Sequence, residues 1–283
     1  MNRIIVLIAV MVFLFGTICS ADMSKKHTLD VGTEVYMTRL EQGNEAEERG
    51  MMYGGVGSYT YRGAIFPAEE LNRMMFKAKG QVARGEADYN NTGDIDDVSQ
   101  WTWAMEFLFG YGVVISESFG ITPFLGAGHR YFCDELDGLV STTNESGYKR
   151  ESRYYYIPVG LELTTDTERD ESFGTSQGWS FGGSVEFDIF VKGRQKNYYT
   201  DADPAASDFE VDQEEGYGWG GSIKIQKNGE NLDFAIEPFA RLWNTNETET
   251  EGNINLPNNS IPAHNYEPKT EILEYGARVT LAF

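Results

Sequence analysis

The chain has 283 residues with 44 acidic and 23 basic side chains, and its formal net charge is -21. A nucleic-acid-binding protein is expected to show the opposite charge balance, so this function class is excluded. No apolar run after residue 21 is long enough for a membrane-spanning helix, so a membrane protein with this sequence has to be a closed β-barrel.

The first element is a predicted secretory signal peptide at residues 1–21. It has a basic start with Arg3, an apolar run at residues 4–15 and a small-residue region that ends at Ala21. This order is typical of a signal sequence that is cleaved after the small residues. The mature chain is therefore predicted to be residues 22–283, and its length suits one large β-domain.

The two cysteines bear on export. Cys19 raises the alternative of a lipoprotein signal, but Ile18 stands where such a signal requires a small residue. Cleavage after residue 21 leaves Cys133 as the only cysteine, so no intramolecular disulfide is predicted in an exported chain.

Alternating apolar residues predict ten strands in the mature chain. The clearest strand sets Trp101, Trp103 and Phe107 on one face and Glu106 on the other. Such a broad aromatic row is typical of a lipid-facing surface with aromatic girdles. The predicted strands are residues 28–40, 51–62, 75–89, 101–111, 120–132, 148–163, 178–194, 216–226, 231–243 and 270–283.

The connections after odd-numbered strands include the longest ones, although residues 164–177 and the stretch after Arg62 are longer than minimal turns. Those after the seventh and ninth strands are the longest, whereas the Asn228-Gly229 pair predicts a tight hairpin after the eighth. A short helical turn is predicted at residues 66–73. Pro158 and Pro238 fall inside strands, where each removes a ladder hydrogen bond, so bulges are predicted there.

The last strand carries a family resemblance. Its apolar residues alternate from Leu273 through Tyr275, Ala277, Val279 and Leu281 to Phe283. This pattern resembles the closing strand of small bacterial outer-membrane β-barrels, whose signature is a terminal Phe after alternating apolar residues.

The resemblance implies an all-β fold, namely a closed antiparallel up-and-down transmembrane β-barrel of about ten strands. It also implies location in the cell outer membrane of a Gram-negative-type bacterium. The implied partners are outer-membrane lipid, lipopolysaccharide and the barrel-insertion machinery, which would read the strand ending in Phe283. A soluble β-sandwich or lipocalin-like barrel is the alternative explanation for the aromatic rows.

The inward phase of the strands predicts a balanced set of charges in the lumen. A one-signed constriction would suit a selective pore, whereas balanced charges in a barrel this narrow favour a lumen filled by ion pairs. The predicted inward acids are Asp30, Glu34, Glu106, Glu162, Glu186, Asp188, Asp233, Glu237 and Glu274, and the bases are Lys77, Lys79, Arg130, Arg150, Lys192, Arg194, Lys224, Arg241 and Arg278.

A catalytic site is not apparent. In size and strand number the chain resembles the omptin outer-membrane proteases, whose catalytic groups include acidic pairs and an Asp-x-His element. Asp94 and Asp96 form an acidic pair, but His27, His129 and His264 are not preceded by Asp at that spacing. No catalytic or cofactor-binding residue is therefore assigned, and no cofactor is expected.

Residues 88–99 partly resemble a calcium loop. Asp88 and its neighbours place oxygen ligands at alternate positions, but Ser99 stands at the twelfth position, where a bidentate Glu is required. The segment is interpreted as an acidic solvated loop, and no metal ligands are assigned. Divalent cations at the acidic loops remain possible partners.

Three functions follow for comparison. The first is a non-enzymatic surface protein with acidic extracellular loops and a structural or adhesive binding role. The second is a narrow porin-like channel for small solutes, and the third is an omptin-like hydrolase. One sign of charge at a constriction would favour the channel, and a clustered Asp/His or Ser/His pair at the outer rim would favour the enzyme.

Overall fold

The computed structural model describes residues 27–43, 46–63, 73–91, 93–116, 119–165, 178–229, 232–256 and 259–283, with side chains omitted at 249–267. The predicted signal peptide and helical turn lie outside the described residues, apart from Arg73. No helix in the described part of the chain is long and apolar enough to cross a membrane.

The described residues form fourteen strands. They are β1 (His27–Gln42), β2 (Ala46–Arg62), β3 (Met74–Asn90), β4 (Asp94–Tyr111), β5 (Val113–Ser116), β6 (Phe119–Glu135), β7 (Arg150–Thr165), β8 (Trp179–Asn197), β9 (Phe209–Gln213), β10 (Gly216–Lys227), β11 (Asp233–Thr245), β12 (Thr248–Leu256), β13 (Asn259–Glu267) and β14 (Thr270–Ala282).

Ten of these strands close into an antiparallel up-and-down barrel, as predicted. Sequence neighbours pair around the ring, β1 pairs with β14, and β10 pairs with β8. β5 adds to the end of β6, β9 pairs with the end of β8, and β12 and β13 form a hairpin between β11 and β14. Closure removes every free edge from the ring, so each barrel strand has two partners.

The barrel has two ends. The loop end carries the segments that follow β1, β3, β6, β8 and β11 up to the next barrel strand, including β9, β12 and β13, and the turn end carries the first residue of β1, the last of β14 and the remaining connections. The predicted strand boundaries are too short at the loop end. β2 begins at Ala46 and β4 at Asp94, because strand pairing continues through polar residues that composition alone assigns to loops.

The outer face carries a continuous apolar belt. Val185, Ile223 and Phe181 are more than half exposed, and the rings of Trp101 and Tyr131 pack 4.8 Å apart near the loop-end edge. Charged residues bound the belt toward the loop end at Arg39, Glu47, Arg84, Arg153 and Lys192. An exposed apolar surface of this extent needs a cover, and an outward band flanked by aromatic residues is the pattern of membrane barrels.

The predicted bulges at the two prolines are wrong. The β6–β7 ladder passes from the Leu125–Val159 pair to the Gly128–Tyr156 pair without a change of register. The ladder beside Pro238 likewise keeps its register. A missing N–H therefore interrupts the pairing without inserting a residue.

A bulge lies at Val191 in β8, in addition to register shifts between Ala87 and Tyr89 of β3 and between Val114 and Ser116 of β5. Tyr155 pairs with Lys192 and Tyr156 with Phe190, so Val191 is the extra residue. The bulge falls where the partner of β8 changes from β10 to β9. It reverses the alternation of all later residues of β8.

Candidate functional site: the barrel lumen

The inward charges are those predicted, with two corrections. Lys192 and Arg194 face outward, because the bulge at Val191 shifts them by one position, and they contact Asp212 at 2.7 and 3.1 Å. The sequence prediction also missed lumen residues in segments assigned to loops or strand ends. These are Arg62, Glu48 and Asp134. Continued alternation of β2 and β6 past their predicted ends would have identified Glu48 and Asp134.

A buried polar layer closes the lumen near the loop end. Arg150 contacts both Glu48 and Asp134, the latter at 3.2 Å. Gln100 donates hydrogen bonds to the same two carboxylates, and Gln42 accepts one from Arg150 at 2.8 Å. Glu48 and Gln100 are fully buried, so this network packs the lumen between β2, β4, β6 and β7.

An aromatic plug lies below this layer. Its members are Leu40, Phe132, Tyr156, Trp243 and Ile272, all at most 5% exposed. The rings of Trp243 and Tyr156 meet edge to face at 4.8 Å, a favourable arrangement for aromatic pairs. These side chains come from β1, β6, β7, β11 and β14, so the plug joins five of the ten barrel strands across the lumen.

Ion pairs cross the lumen below the plug. The Arg130 guanidinium donates to both carboxylate oxygens of Glu274, at 2.6 and 3.1 Å, and both side chains are 1% exposed. Arg241 contacts Glu274 at 3.1 Å, and Arg278 contacts Glu34 at 3.0 Å. Buried charges of opposite sign are thus paired across the barrel, as desolvation requires.

A vestibule opens below these pairs at the turn end. Its cavity has a volume of about 280 Å³. Its wall carries long charged side chains, including Lys77 and Lys79 of β3 and Lys224 of β10, and small residues of β8 and β10, including Ser184 and Ser222. The lumen is therefore asymmetric, since it is filled toward the loop end and hollow toward the turn end.

Acidic side chains surround an open recess at the loop end. The recess has a volume of about 600 Å³ and is lined by Arg194, Glu210, Asp212, Glu214, Glu215, Glu247 and Thr248. Lys192 and Arg194 donate hydrogen bonds to Asp212 and lower the pKa of its carboxyl below the ordinary value. Across the described residues, no three His, Cys, Asp or Glu side chains converge to hold a metal ion.

The residues of the calcium-like segment form the tip of the β3–β4 hairpin. Asn90 donates a hydrogen bond to Asp94 at 2.7 Å, and Asp88 accepts one from the Asp97 backbone at 3.4 Å. Asp97 has a φ of 58°, a left-handed conformation that Asp tolerates in turns. These oxygens therefore stabilise the turn.

Comparison with known proteins identifies the fold. The sequence matches no family model, and no curated protein sequence matches it. The structure is similar to the outer membrane protease OmpT from Escherichia coli, with a TM-score of 0.59 and 10% identity over 94% of this chain and 98% of that chain. The chain has the fold of a small bacterial outer-membrane barrel.

Two further solved structures are more distant. A mutant of the monoaromatic hydrocarbon channel TodX has a TM-score of 0.34 and 10% identity, covering 93% of this chain and 91% of that chain. The outer membrane protein OprG from Pseudomonas aeruginosa has a TM-score of 0.33 and 10% identity, covering 91% and 95%. At these identities the likeness concerns the fold, and the activity has to be argued from the residues.

The described histidine side chains lie away from the acidic rim. His27 is at the turn end, 2.6 Å from the Tyr59 hydroxyl. His129 is on the outer face, with its ring 4.7 Å from those of Trp103 and Tyr155. The side chain of His264 is outside the described set. The described side chains therefore bring no imidazole beside the Asp94–Asp96 acidic pair.

Proposed function

We propose that this protein is a non-conducting outer-membrane barrel that presents acidic extracellular loops, with a structural or adhesive binding role. The observation that carries this proposal is the filled loop-end half of the lumen. The polar layer at Arg150, the plug at Trp243 and the cross-lumen pair Arg130–Glu274 follow one another along the barrel. The plug is the apolar closure of the three, and an apolar constriction blocks ions by dewetting, so it is expected to be the decisive barrier.

The proposed orientation places the loop end outside the cell and the turn end in the periplasm. Long connections outside and short ones inside are the rule for bacterial outer-membrane barrels. The rim at Glu210, Glu214 and Glu215 then faces the medium, where it would attract cationic partners. Outer-membrane lipid and lipopolysaccharide would cover the belt, and the β14 strand ending in Phe283 would contact the insertion machinery.

Conductance in a planar bilayer tests the closed lumen. The refolded chain should insert, as shown by a heat-dependent shift in gel migration, and should give no stable current steps. Trp243→Ala removes the central ring of the plug and should produce steps or flicker. Trp219→Ala, on the exposed outer face, is the matched control and should remain silent. Reproducible steps from the unmodified chain would instead support the narrow channel.

Binding of fluorescent oligolysine to vesicles containing the barrel tests the acidic loops. Replacing Glu210, Glu214 and Glu215 by Gln should weaken binding. Glu86→Gln with Asp88→Asn removes rim charge on β3, away from the recess, and should weaken binding less. Equal losses of binding from the two sets would mean that the general negative charge of the rim, and not the recess, attracts oligolysine. No binding to the unmodified chain would contradict an acidic recognition surface.

A further inference from the structure

The vestibule at the turn end is a cavity lined by charged and small side chains, and the proposed surface function does not use it. Among the described residues it opens toward the turn end, because the pairs at Arg130 and Arg241 and the plug lie at its other end. A volume of about 280 Å³ lies near the lower limit for small-molecule sites. The space therefore suits a compact solute and excludes a folded partner.

The charges on its wall are unequally accessible. Lys79 is 35% exposed against 14% and 16% for its partners Glu106 and Glu186. Lys224 is 30% exposed against 15% for Asp30, and Arg62 is 27% exposed against 16% for Glu162. Each base is more exposed than the carboxylates it contacts. The cavity therefore presents mainly cationic groups to an entering molecule, although its wall contains charges of both signs.

These bases retain hydrogen-bonding capacity. Within the described residues, Lys77 contacts one carboxylate, Glu162 at 3.0 Å, and Lys224 contacts one, Asp30 at 3.1 Å. An ammonium group carries three donors, so each can bind a further oxygen without losing its present partner. Donors from β3 and β10 thus line one enclosed space.

The part of the wall formed by β8 and β10 leaves room for the bound group. Ser184 and Ser222 lie on neighbouring strands with their hydroxyl oxygens 3.0 Å apart, and Gly182 and Gly220 line the same wall. Small side chains leave space in the vestibule here, and hydroxyls can donate hydrogen bonds to oxyanions as ammonium groups do.

We propose that the vestibule binds a compact anion bearing several phosphate or carboxylate oxygens, held by Lys77, Lys79, Lys224 and Arg62. The binding chemistry depends only on the cavity. The further statement that the ligand comes from the periplasm rests on the orientation proposed above. A phospholipid headgroup at the barrel rim would offer the same oxygens, and the experiment separates the two sources.

Isothermal titration of inorganic pyrophosphate into the folded full chain in nonionic detergent is the test. One pyrophosphate per barrel is expected. The double variant K77Q/K224Q should weaken binding by about tenfold or more, since each charged hydrogen bond contributes strongly. It should still fold, because Glu162 keeps Arg62 and Asp30 keeps its bond from Ser58. A heat-dependent gel shift verifies folding.

Two matched variants complete the design. Ser222→Leu fills part of the vestibule without changing its charge and should abolish binding. Lys192→Gln removes an outward lysine near the loop end and should leave binding unchanged. Short-chain phosphatidylglycerol is titrated in parallel. Its binding in place of pyrophosphate would support the site and identify a headgroup as the ligand source.

Three outcomes would overturn the proposal. The first is that neither pyrophosphate nor phosphatidylglycerol binds. The second is that Lys192→Gln weakens binding as much as K77Q/K224Q does. The third is that K77Q/K224Q or Ser222→Leu binds as tightly as the unmodified chain. None of them bears on the bilayer conductance, so failure of this inference is distinguishable from failure of the proposed closed barrel.

Discussion

Arg130 on β6 and Glu274 on β14 lie on opposite strands of the ten-strand ring, yet their side chains meet in a two-bond ion pair in the middle of the lumen. The pair ties the two halves of the barrel together at a point that water barely reaches. Trp243 covers it, with the guanidinium carbon of Arg130 5.4 Å from the centre of the indole ring.

Glu274→Gln should be strongly destabilising. It leaves the buried guanidinium of Arg130 with one acceptor oxygen and no opposite charge, and Arg241 loses an ion pair at 3.1 Å. Breaking a buried pair costs about 3–5 kcal/mol. The measurement is the denaturant midpoint of the folded form in detergent, followed by gel migration.

Asp212→Asn is the control for that measurement. Its ion pairs with Lys192 and Arg194 are solvent-exposed, and exposed pairs contribute little to stability. A Glu274→Gln midpoint as close to the unmodified chain as that of Asp212→Asn would refute a stabilising role for the cross-lumen pair.

Gly128→Ala should perturb the plug. An added Cβ would lie 2.3 Å from the ring atoms Cε2 and Cζ of Tyr156, and Trp243 prevents the ring from retreating freely. Overpacking of this kind costs about 1–3 kcal/mol. Gly80→Ala, where nothing lies within 4 Å of the added Cβ, should be close to neutral. Equal denaturant midpoints for the two variants would show that the plug is loosely packed.

Deletion of Val191 should be tolerated. The deletion joins Phe190 directly to Lys192 and restores continuous pairing with Tyr156 and Tyr155. Inward and outward residues keep their faces, so the heat-dependent gel shift should persist. The main change is a displacement of the β9 contact by about one residue.

Deletion of Phe187 is the matched control. It shifts Asp188 onto the outer apolar face, since a one-residue slip exchanges the two faces of a strand. This variant should fail to fold into the heat-modifiable form. Failure of the Val191 deletion to the same degree would mean that the bulge itself is required.

Acid should loosen the β9 segment before the barrel. Lys192 and Arg194 lower the pKa of Asp212, so the stabilisation is complete above the unfolded value of about 3.9. It is lost as the pH falls through the lower folded pKa. Limited pepsin digestion from pH 5 to pH 2 should therefore cut near residues 198–215 first, and Asp212→Asn should be cut at every pH. Cleavage independent of pH in the unmodified chain would contradict the docking role of Asp212.

Local periodicity predicted the strands well and their ends poorly. All ten barrel strands were predicted, because an apolar outer face forces strict alternation along each of them. Beyond the belt the outer face is polar, so alternation of hydrophobicity disappears while the ladder continues. Glu48 in β2 and Asp134 in β6 were therefore assigned to loops although both are buried in the lumen.

The bulge at Val191 shows a second limit of prediction from the sequence. Val191 and Lys192 are not residue types that indicate a bulge. Proline is such a residue type, but the strands keep their register at both prolines. The bulge instead lies where β8 changes partner, which is a property of the assembled barrel. The outward position of Lys192 and Arg194 follows from it.

The sequence by itself determined the ten-strand alternation, the apolar outer face and most of the inward charges, because each depends on neighbours two residues apart. Only the tertiary structure decided which charges meet, such as Arg130 with Glu274, and where the lumen is filled or hollow. Arg130 and Glu274 are 144 positions apart in the chain and lie on opposite sides of a closed ring, and no local pattern records which side chain faces which across it.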